Sequence, residues 1–218
     1  ECWNPVTSEI NAAPGYEQNA NRTEVTLTLA PDESVFVVFP VDSNENHLPK
    51  ASEGNSSVEE SQDIAFETEE YTVTFTINGH TVTRKNLFDW SKEEDEKIRY
   101  YSGTAIYQAA FRWKGKQKDG QRVYLNLGEV CNLATVRVNG VDCGTVWTAP
   151  FRADITPALK KGTNVLEIEV TNTWANALKG ADEGKMPFDC IWTNAKYRRQ
   201  EKTLLPAGLL GPLSFTKE

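Results

Sequence analysis

Apolar and polar residues alternate along most of this chain, which is the pattern of β-strands that bury one face. The alternation is clearest over residues 23–29, 71–77 and 103–113. Residues 34–39 instead form a continuous apolar run, which predicts a strand that is buried on both faces. Because turn-forming residues separate 23–29 from 34–39, we expect these two strands to form a hairpin.

Short strand-like segments also fill the second half of the chain. They cover residues 122–127, 134–138, 145–147, 165–170 and 213–215, and turn-forming Asn-Gly pairs at 78–79 and 139–140 follow two of the strands. Ser91 is expected to cap one short helical turn. Many short strands without long amphipathic helices predict an all-β fold, an antiparallel β-sandwich of the jelly-roll type. A parallel sheet is excluded because it would need crossover helices.

The composition changes once along the chain. Residues 42–63 are rich in Ser, Asn, Glu and Gly and contain few large apolar residues, which is typical of a linker. We therefore divide the chain into residues 1–41 with a short N-terminal β-hairpin segment, a linker at 42–63, and a sandwich domain over residues 64–218.

The net charge of the chain limits the classes of partner that it is expected to bind. The 218 residues carry a formal net charge of −8, and the densest basic run, residues 196–199, is short. A negative surface repels phosphates and anionic lipids, so neither nucleic acid nor a membrane is an expected partner. The chain opens on Glu1 without an initiator Met or a signal-peptide core. We expect that a leader or a preceding domain has been cut away, and that the protein is secreted or periplasmic.

The cysteines and histidines do not suggest a metal centre. Cys2, Cys131, Cys143 and Cys190 form no CxxC pair, and the chain has two histidines. These numbers give no zinc-ligand spacing, and they imply no firm cofactor. Four cysteines in a chain of this length are sparse, which favours free thiols over a disulfide framework.

An ordered string of motifs gives the chain a family resemblance. It consists of Asp89-Trp90 and of residues 100–107, 123–130, 134–140, 144–147, 150–156, 170–176 and 205–212. The string resembles the sugar-binding jelly roll of glycoside hydrolase family 2. It is more similar still to the C-terminal module of the family 106 α-L-rhamnosidases of gut bacteria. Residues 1–41 look like the last strands of the β domain that precedes this module.

The resemblance implies a galactose-binding-like jelly roll in a bacterial glycoside hydrolase that acts on plant or host glycans. It implies two partners, carbohydrate and an upstream catalytic (β/α)₈ barrel in the same enzyme, and it leaves room for a structural calcium ion. Such a barrel needs about 250 residues and alternating strands and helices, which this chain lacks. We therefore expect a non-catalytic module that binds carbohydrate or completes an active site, and we assign no catalytic residue.

Four carboxylates, Asp89, Glu129, Asp154 and Glu169, could each be proposed for glycosidase chemistry. That chemistry needs two carboxyls about 5–10 Å apart across a sugar, one of them with a raised pKa. Sequence does not reveal such a pair. Asp154 is better explained as a turn cap, and Glu129 as a loop residue.

The candidate sugar contacts are an indole at Trp147 and the segment Asn172, Trp174 and Asn176, with Arg152 as an auxiliary contact. An exposed indole offers a flat apolar face to a sugar ring, and side-chain amides both donate to and accept from hydroxyls. The alternative is an interdomain sandwich without a ligand, in which Trp147 and Trp174 are fully buried and the asparagines satisfy loop backbone.

Phe188 and Trp192 lie in a long irregular segment, residues 179–203. Loops of this length on a rigid sandwich are usually functional or pack against a neighbouring domain. We therefore expect this segment to be an interface or ligand loop.

Overall fold

The structure of the chain is a computed structural model. It describes residues 1–6, 8–13, 15–29, 33–39, 64–115, 120–185, 193–194 and 203–217. The chain divides into two compact units, Glu1–Glu60 and Ser61–Glu218. The predicted linker at 42–63 lies outside the described residues, so the exact domain boundaries stay a prediction.

The described residues of the first unit contain five short strands. They are β1 Cys2–Trp3, β2 Ile10–Asn11, β3 Tyr16–Asn19, β4 Arg22–Val25 and β5 Phe36–Val37. β1 pairs with β2 and β5, while β3 pairs with β4 across a two-residue turn. The chain therefore has an N-terminal hairpin, but the expected pairing of 23–29 with 34–39 is wrong. A two-residue loop is the commonest hairpin connection, and β3 is the closer partner.

Burial of residues 34–39 on both faces is also not observed. Phe36 and Phe39 are 62% and 61% exposed. Among the described residues of this unit, the three-stranded sheet carries no second layer over these rings. A continuous apolar run shows that a strand is suited to burial, but the cover must come from other residues.

The second unit is built on a six-stranded antiparallel sheet. Its strands in chain order are β7 Tyr71–Phe75, β8 His80–Arg84, β9 Thr104–Trp113, β12 Leu133–Val138, β13 Val141–Val146 and β15 Gly162–Thr171. Their order in the sheet is β13-β12-β15-β9-β7-β8. β9 and β15 form its centre and pair along ten residues each.

A second layer faces this sheet. Four strands pair in the order β14-β10-β17-β6, and a short pair, β11 with β16, lies beside them. Their bounds are β6 Ile64–Ala65, β10 Val123–Asn126, β11 Glu129–Cys131, β14 Arg152–Asp154, β16 Gly208–Gly211 and β17 Ser214–Lys217. Alternate residues of both layers are buried in one hydrophobic core. The predicted antiparallel β-sandwich is confirmed.

In the part of the second unit that the structure describes, three short helical segments interrupt the strands. Asp89 caps a 3₁₀ turn at Trp90–Lys92, and Asp95 caps helix α1 at Glu96–Arg99. The predicted Ser91 cap is therefore wrong: Ser91 donates its backbone N–H and its hydroxyl to Asp89, because a carboxylate accepts both. Helix α2, Ala175–Asp182, was not predicted, and its last four residues lie in the segment 179–203 that was expected to be irregular.

A buried polar cluster ties the C-terminal strands to the sandwich. The fully buried Trp90 donates from Nε1 to the Tyr107 hydroxyl at 2.6 Å, and the backbone N–H of Leu209 donates to the same hydroxyl at 3.2 Å. The Ala207 N–H donates to the Asp89 carboxylate at 3.1 Å. Gly208, between them, has φ +101°, and a Cβ there would lie 2.4 Å from Trp90 Nε1. Asp89 and Trp90 therefore act as the anchor of β16.

Candidate functional site

Three strands of the six-stranded sheet meet at one end. β13 ends at Val146 opposite Ala134, and Leu133 at the start of β12 lies opposite Thr171 at the end of β15. Trp147 follows β13 directly, and Trp174 stands at the beginning of α2, three residues after β15. β12 separates β13 from β15, so these two strands run about 10 Å apart. We term Leu133, Trp147 and Trp174 the indole end.

Both tryptophans of the indole end are open to solvent. Trp147 is 58% exposed, Trp174 is 56% exposed, and Leu133 between their strands is 36% exposed. The ligand-free alternative required both indoles to be fully buried, and that expectation is wrong. Large exposed aromatic surface is unusual in a folded domain and provides flat apolar faces with a polar N–H at the edge.

Asn172 supports the strand ends from inside. Its Oδ1 accepts from the Gly103 N–H at 2.9 Å, and its Nδ2 donates to the Tyr101 carbonyl at 2.9 Å. The amide thus joins the end of β15 to the segment before β9. Because both polar atoms already serve backbone groups, the geometry argues against the predicted sugar contact at Asn172.

Asn176 is even less accessible. Its side chain is buried at 3% exposure within α2. It donates to the Leu205 carbonyl at 2.8 Å and accepts from the Leu205 N–H at 2.9 Å. This pair of bonds fixes the segment that leads into β16. The residue cannot reach a ligand in this conformation, so the sugar contact predicted for Asn176 is not supported.

Arg152 belongs to the other layer of the sandwich. It lies in β14 opposite Asn126, and its guanidinium carbon is 4.3 Å from the centroid of the Tyr124 ring. The ring stacking orients the side chain on the outer face of the four-stranded sheet. Phe188 and Trp192, the predicted interface loop, lie outside the described residues.

The candidate carboxylates have structural partners. Asp154 accepts from the Thr156 N–H at 2.9 Å, so the predicted turn cap is confirmed. Glu169 binds Arg137 on the outer face of the six-stranded sheet, and Glu167 lies 3.3 Å from the same guanidinium. Hydrogen bonding and charge from Glu169 raise the pKa of Arg137. Glu129 begins strand β11, so the loop predicted there is wrong.

Asp89 is a carboxyl whose pKa the fold displaces. Burial alone would raise this pKa. Hydrogen bonds from Ser91, Ala207 and Lys92 outweigh burial and hold the pKa of Asp89 below its ordinary value. The general acid of a glycosidase needs the opposite shift. The environment of Asp89 therefore suits an anchor and not a proton donor.

The remaining candidate features are metal ligands, thiols and membrane-spanning helices. Within the described ranges, no group of three or more His, Cys, Asp or Glu side chains is placed to hold a metal ion. The calcium ion implied by the resemblance therefore finds no cluster of three carboxylates among the described residues. Cys2, Cys131 and Cys143 are free thiols. In the same part of the chain no helix has the length and apolar character needed to cross a membrane.

Leu133 is a member of the indole end that the sequence analysis did not single out. The signal was present, since Leu133 has the same phase as Thr135 and Arg137 along β12, the phase that points away from the core. A leucine in the outward phase of a half-buried strand indicates an exposed apolar contact.

Comparisons with known proteins identify a matching family model and similar proteins. Residues 80–204 match the family model described as "Glycosyl hydrolase 2 galactose-binding domain-like". A curated protein from Formosa agariphila named "Putative beta-glucuronidase" is 38% identical over 154 residues, which are 59% of this chain and 13% of that protein.

The structure of a rhamnosidase from Novosphingobium sp. PP1Y superposes on 100% of this chain with a TM-score of 0.80 and 35% sequence identity. The chain spans 20% of that protein. Both relatives are thus several times longer than this chain. The resemblance to sugar-binding modules of glycoside hydrolases is confirmed.

Proposed function

Because this chain belongs to the glycosyl hydrolase 2 galactose-binding domain-like family, we propose that it is a non-catalytic module of a bacterial glycoside hydrolase. The module holds carbohydrate at the indole end or completes an active-site wall there. The carbohydrate comes from plant or host glycans, and the enzyme is secreted or periplasmic.

The observation that carries this proposal is the pair of exposed indoles at one end of a rigid sheet. Trp147 and Trp174 follow strands that lie two positions apart in the six-stranded sheet. A spacing of about 10 Å between those strands lets two aromatic platforms engage neighbouring rings of one oligosaccharide. Asn172 and Asn176, which flank Trp174 in the chain, are hydrogen-bonded to backbone groups. The backbone on both sides of Trp174 is therefore held in place, which lowers the entropic cost of binding there.

The catalytic partner is proposed from length and architecture. The relatives are a rhamnosidase and a protein named for glucuronidase activity, and this chain spans 20% and 13% of them. A catalytic barrel of about 250 residues fits in the remainder of proteins of that size. We assign the catalytic carboxylates to such a domain of the same longer protein, with an α-L-rhamnosidase-like activity as the first candidate.

A second role for the same end, without a ligand, is favoured by Leu133. Leu133 is exposed on the strand between those that lead to the two exposed indoles, and exposed apolar side chains grouped at one place are typical of an interface. In that case the indole end packs against the barrel and contributes to stability alone.

Calorimetric titration with rhamnose-containing plant oligosaccharides separates these roles. We expect wild-type chain to bind and the double variant W147A/W174A to bind about tenfold more weakly, because each aromatic contact contributes roughly 0.5–1.5 kcal/mol. The matched control is W3A, which removes an indole that is 41% exposed in the other unit and should leave affinity unchanged. Equal binding by W147A/W174A and wild type, or no heat at about millimolar glycan, would contradict the carbohydrate role.

A further inference from the structure

The end of the sandwich opposite the indole end concentrates positive charge. β9 runs from Thr104, which pairs with Thr171, to Trp113, which pairs with Gly162. Six basic residues lie at the far end of β9 and β15 and at the adjacent ends of β10 and β17. They are Arg112, Lys114, Arg122, Lys160, Lys161 and Lys217. We term these six residues the basic end. The described carboxylates close to it are Glu67, Glu69 and Glu70, which line a groove with Arg112, and Asp154, which lies near Arg122.

Two of these cations are neighbours across strands. Beyond the last pair of the β9–β15 ladder, Trp113 with Gly162, the same register places Lys114 beside Lys161. Both side chains are exposed. Like charges directly opposite each other destabilise a sheet. Their presence here favours a function that uses the positive potential.

Four members of the basic end make no ion pair with any described residue: Arg112, Lys114, Lys160 and Lys161. Arg122 differs, because its Nη1 lies 4.0 Å from Asp154. Glu67 lines the same groove as Arg112, yet no ion pair joins them in the described structure. Among the described residues, these four cations therefore keep their charge outside any ion pair.

The basic end also has a concave site. A groove of about 270 Å³ is lined by Arg112, Trp113, Lys114 and Gly115, among others. Lys217 Nζ lies 5.2 Å from the centroid of the Trp113 ring. A Cβ at Gly115 would lie 2.6 Å from Cζ2 of Trp113 and 3.1 Å from Lys217 Nζ, so glycine keeps this part of the groove open.

We propose that the basic end binds a carboxylate-bearing sugar, a uronic acid residue of an anionic glycan. Two cations, Arg112 and Lys114, line the groove against one carboxylate, Glu67, and an excess of positive charge in a groove concentrates anions. The planar guanidinium of Arg112 matches a carboxylate with two parallel hydrogen bonds. The groove is slightly smaller than a typical small-ligand site of about 300–1,000 Å³, which fits part of a chain and not a whole oligosaccharide. This inference rests on the proposed function, because it names the class of glycan that such a module takes.

The test is affinity electrophoresis of the full 218-residue chain in gels containing polygalacturonate or neutral galactan. The variant K114Q/K161Q removes the charge of Lys114, which lines the groove, and that of Lys161 beside it. The matched control K85Q/K97Q removes the same charge from two exposed lysines that lie on β8's exit turn and on α1, away from the basic end. Poly-L-glutamate supplies a carboxylate polymer without sugar rings.

We expect polygalacturonate to retard wild-type chain, and K114Q/K161Q to weaken that binding about fivefold, since two exposed ion pairs are lost. K85Q/K97Q should stay within about twofold of wild type. Neutral galactan should not distinguish the three proteins.

Equal weakening by K85Q/K97Q would overturn the proposal, because net charge alone would then explain binding. Equal affinity for poly-L-glutamate would also overturn it and assign this end to an acidic protein surface. Binding of neutral glycans without binding of polygalacturonate would refute the proposal that the basic end binds a uronic acid, and would leave the proposed function of the module intact. Binding of no glycan of either kind refutes both.

Discussion

At the scale of single residues, the sandwich depends on a few positions whose chemistry has no substitute. Trp90 is buried in the core, and its indole N–H donates a hydrogen bond to the hydroxyl of Tyr107. The same hydroxyl also accepts a hydrogen bond from the backbone N–H of Leu209 in β16. Burial raises the pKa of Tyr107, so this hydroxyl stays protonated and neutral at ordinary pH. Gly208 touches the indole edge at a positive φ that side chains rarely adopt. These contacts turn the Asp89-Trp90 motif into an anchor.

Gly208→Ala tests this anchor. The new methyl group meets Trp90 at 2.4 Å and the backbone holds φ +101°, so we expect the free energy of unfolding to fall by about 2–4 kcal/mol. Gly140→Ala is the control, because φ is +78° there with nothing within 4 Å of the added Cβ, and a loss of about 1–2 kcal/mol is expected. Urea unfolding measures both. Equal losses would show that the Trp90 contact contributes nothing beyond backbone strain.

At the scale of elements, the alternation of apolar and polar residues predicted where the long strands lie. It did not predict which strands pair, because tertiary contacts determine the pairing. The long strands β7, β9, β12 and β15 follow their period-two patterns, because each buries one face against the core. The pairing of β4 with β3 was missed because both possible partners had suitable turns. A strand pattern identifies a strand but not its neighbour.

Helix α2 was missed for a different reason. Its eight residues include a glycine and no side-chain cap, and isolated helices of this length are unstable. The helix exists because its buried face bonds to the rest of the domain: the Ala177 N–H donates to the Ser102 hydroxyl at 3.2 Å, and Asn176 pairs with Leu205. The exposure of Trp174 follows from this packing and could not be predicted from Asn-Thr-Trp-Ala-Asn alone.

Asn176→Ala tests the link between α2 and the segment before β16. Removing the amide leaves the N–H and carbonyl of Leu205 without their partners, and we expect a loss of about 1–3 kcal/mol in the free energy of unfolding. Hydrogen exchange at the Leu205 amide should become faster. Thr173→Ala, at an exposed position just before α2, should change neither quantity. Unchanged exchange at Leu205 in N176A would mean that other contacts hold this segment.

At the scale of the whole sandwich, the two candidate sites lie at opposite ends of the same strands. β9 and β15 pair over ten residues, from Thr104 with Thr171 at the indole end to Trp113 with Gly162 at the basic end. At about 3.3 Å per residue the two ends are about 30 Å apart. Substitutions at one end should therefore not alter binding at the other, since sites this distant behave independently. The basic end could not be predicted from the sequence, because its cations come from the ends of four strands that are separate along the chain.

The most direct test of the central claim follows the indole N–H signals of the six tryptophans by ¹H–¹⁵N NMR during titration with a rhamnose-containing oligosaccharide. The signals of Trp147 and Trp174 should shift together with one dissociation constant, because both indoles are exposed at the same end of the sheet. The signals of the buried Trp90 and Trp113 should stay in place. Stationary Trp147 and Trp174 signals at saturating glycan would contradict the assignment of the indole end as a carbohydrate-binding surface.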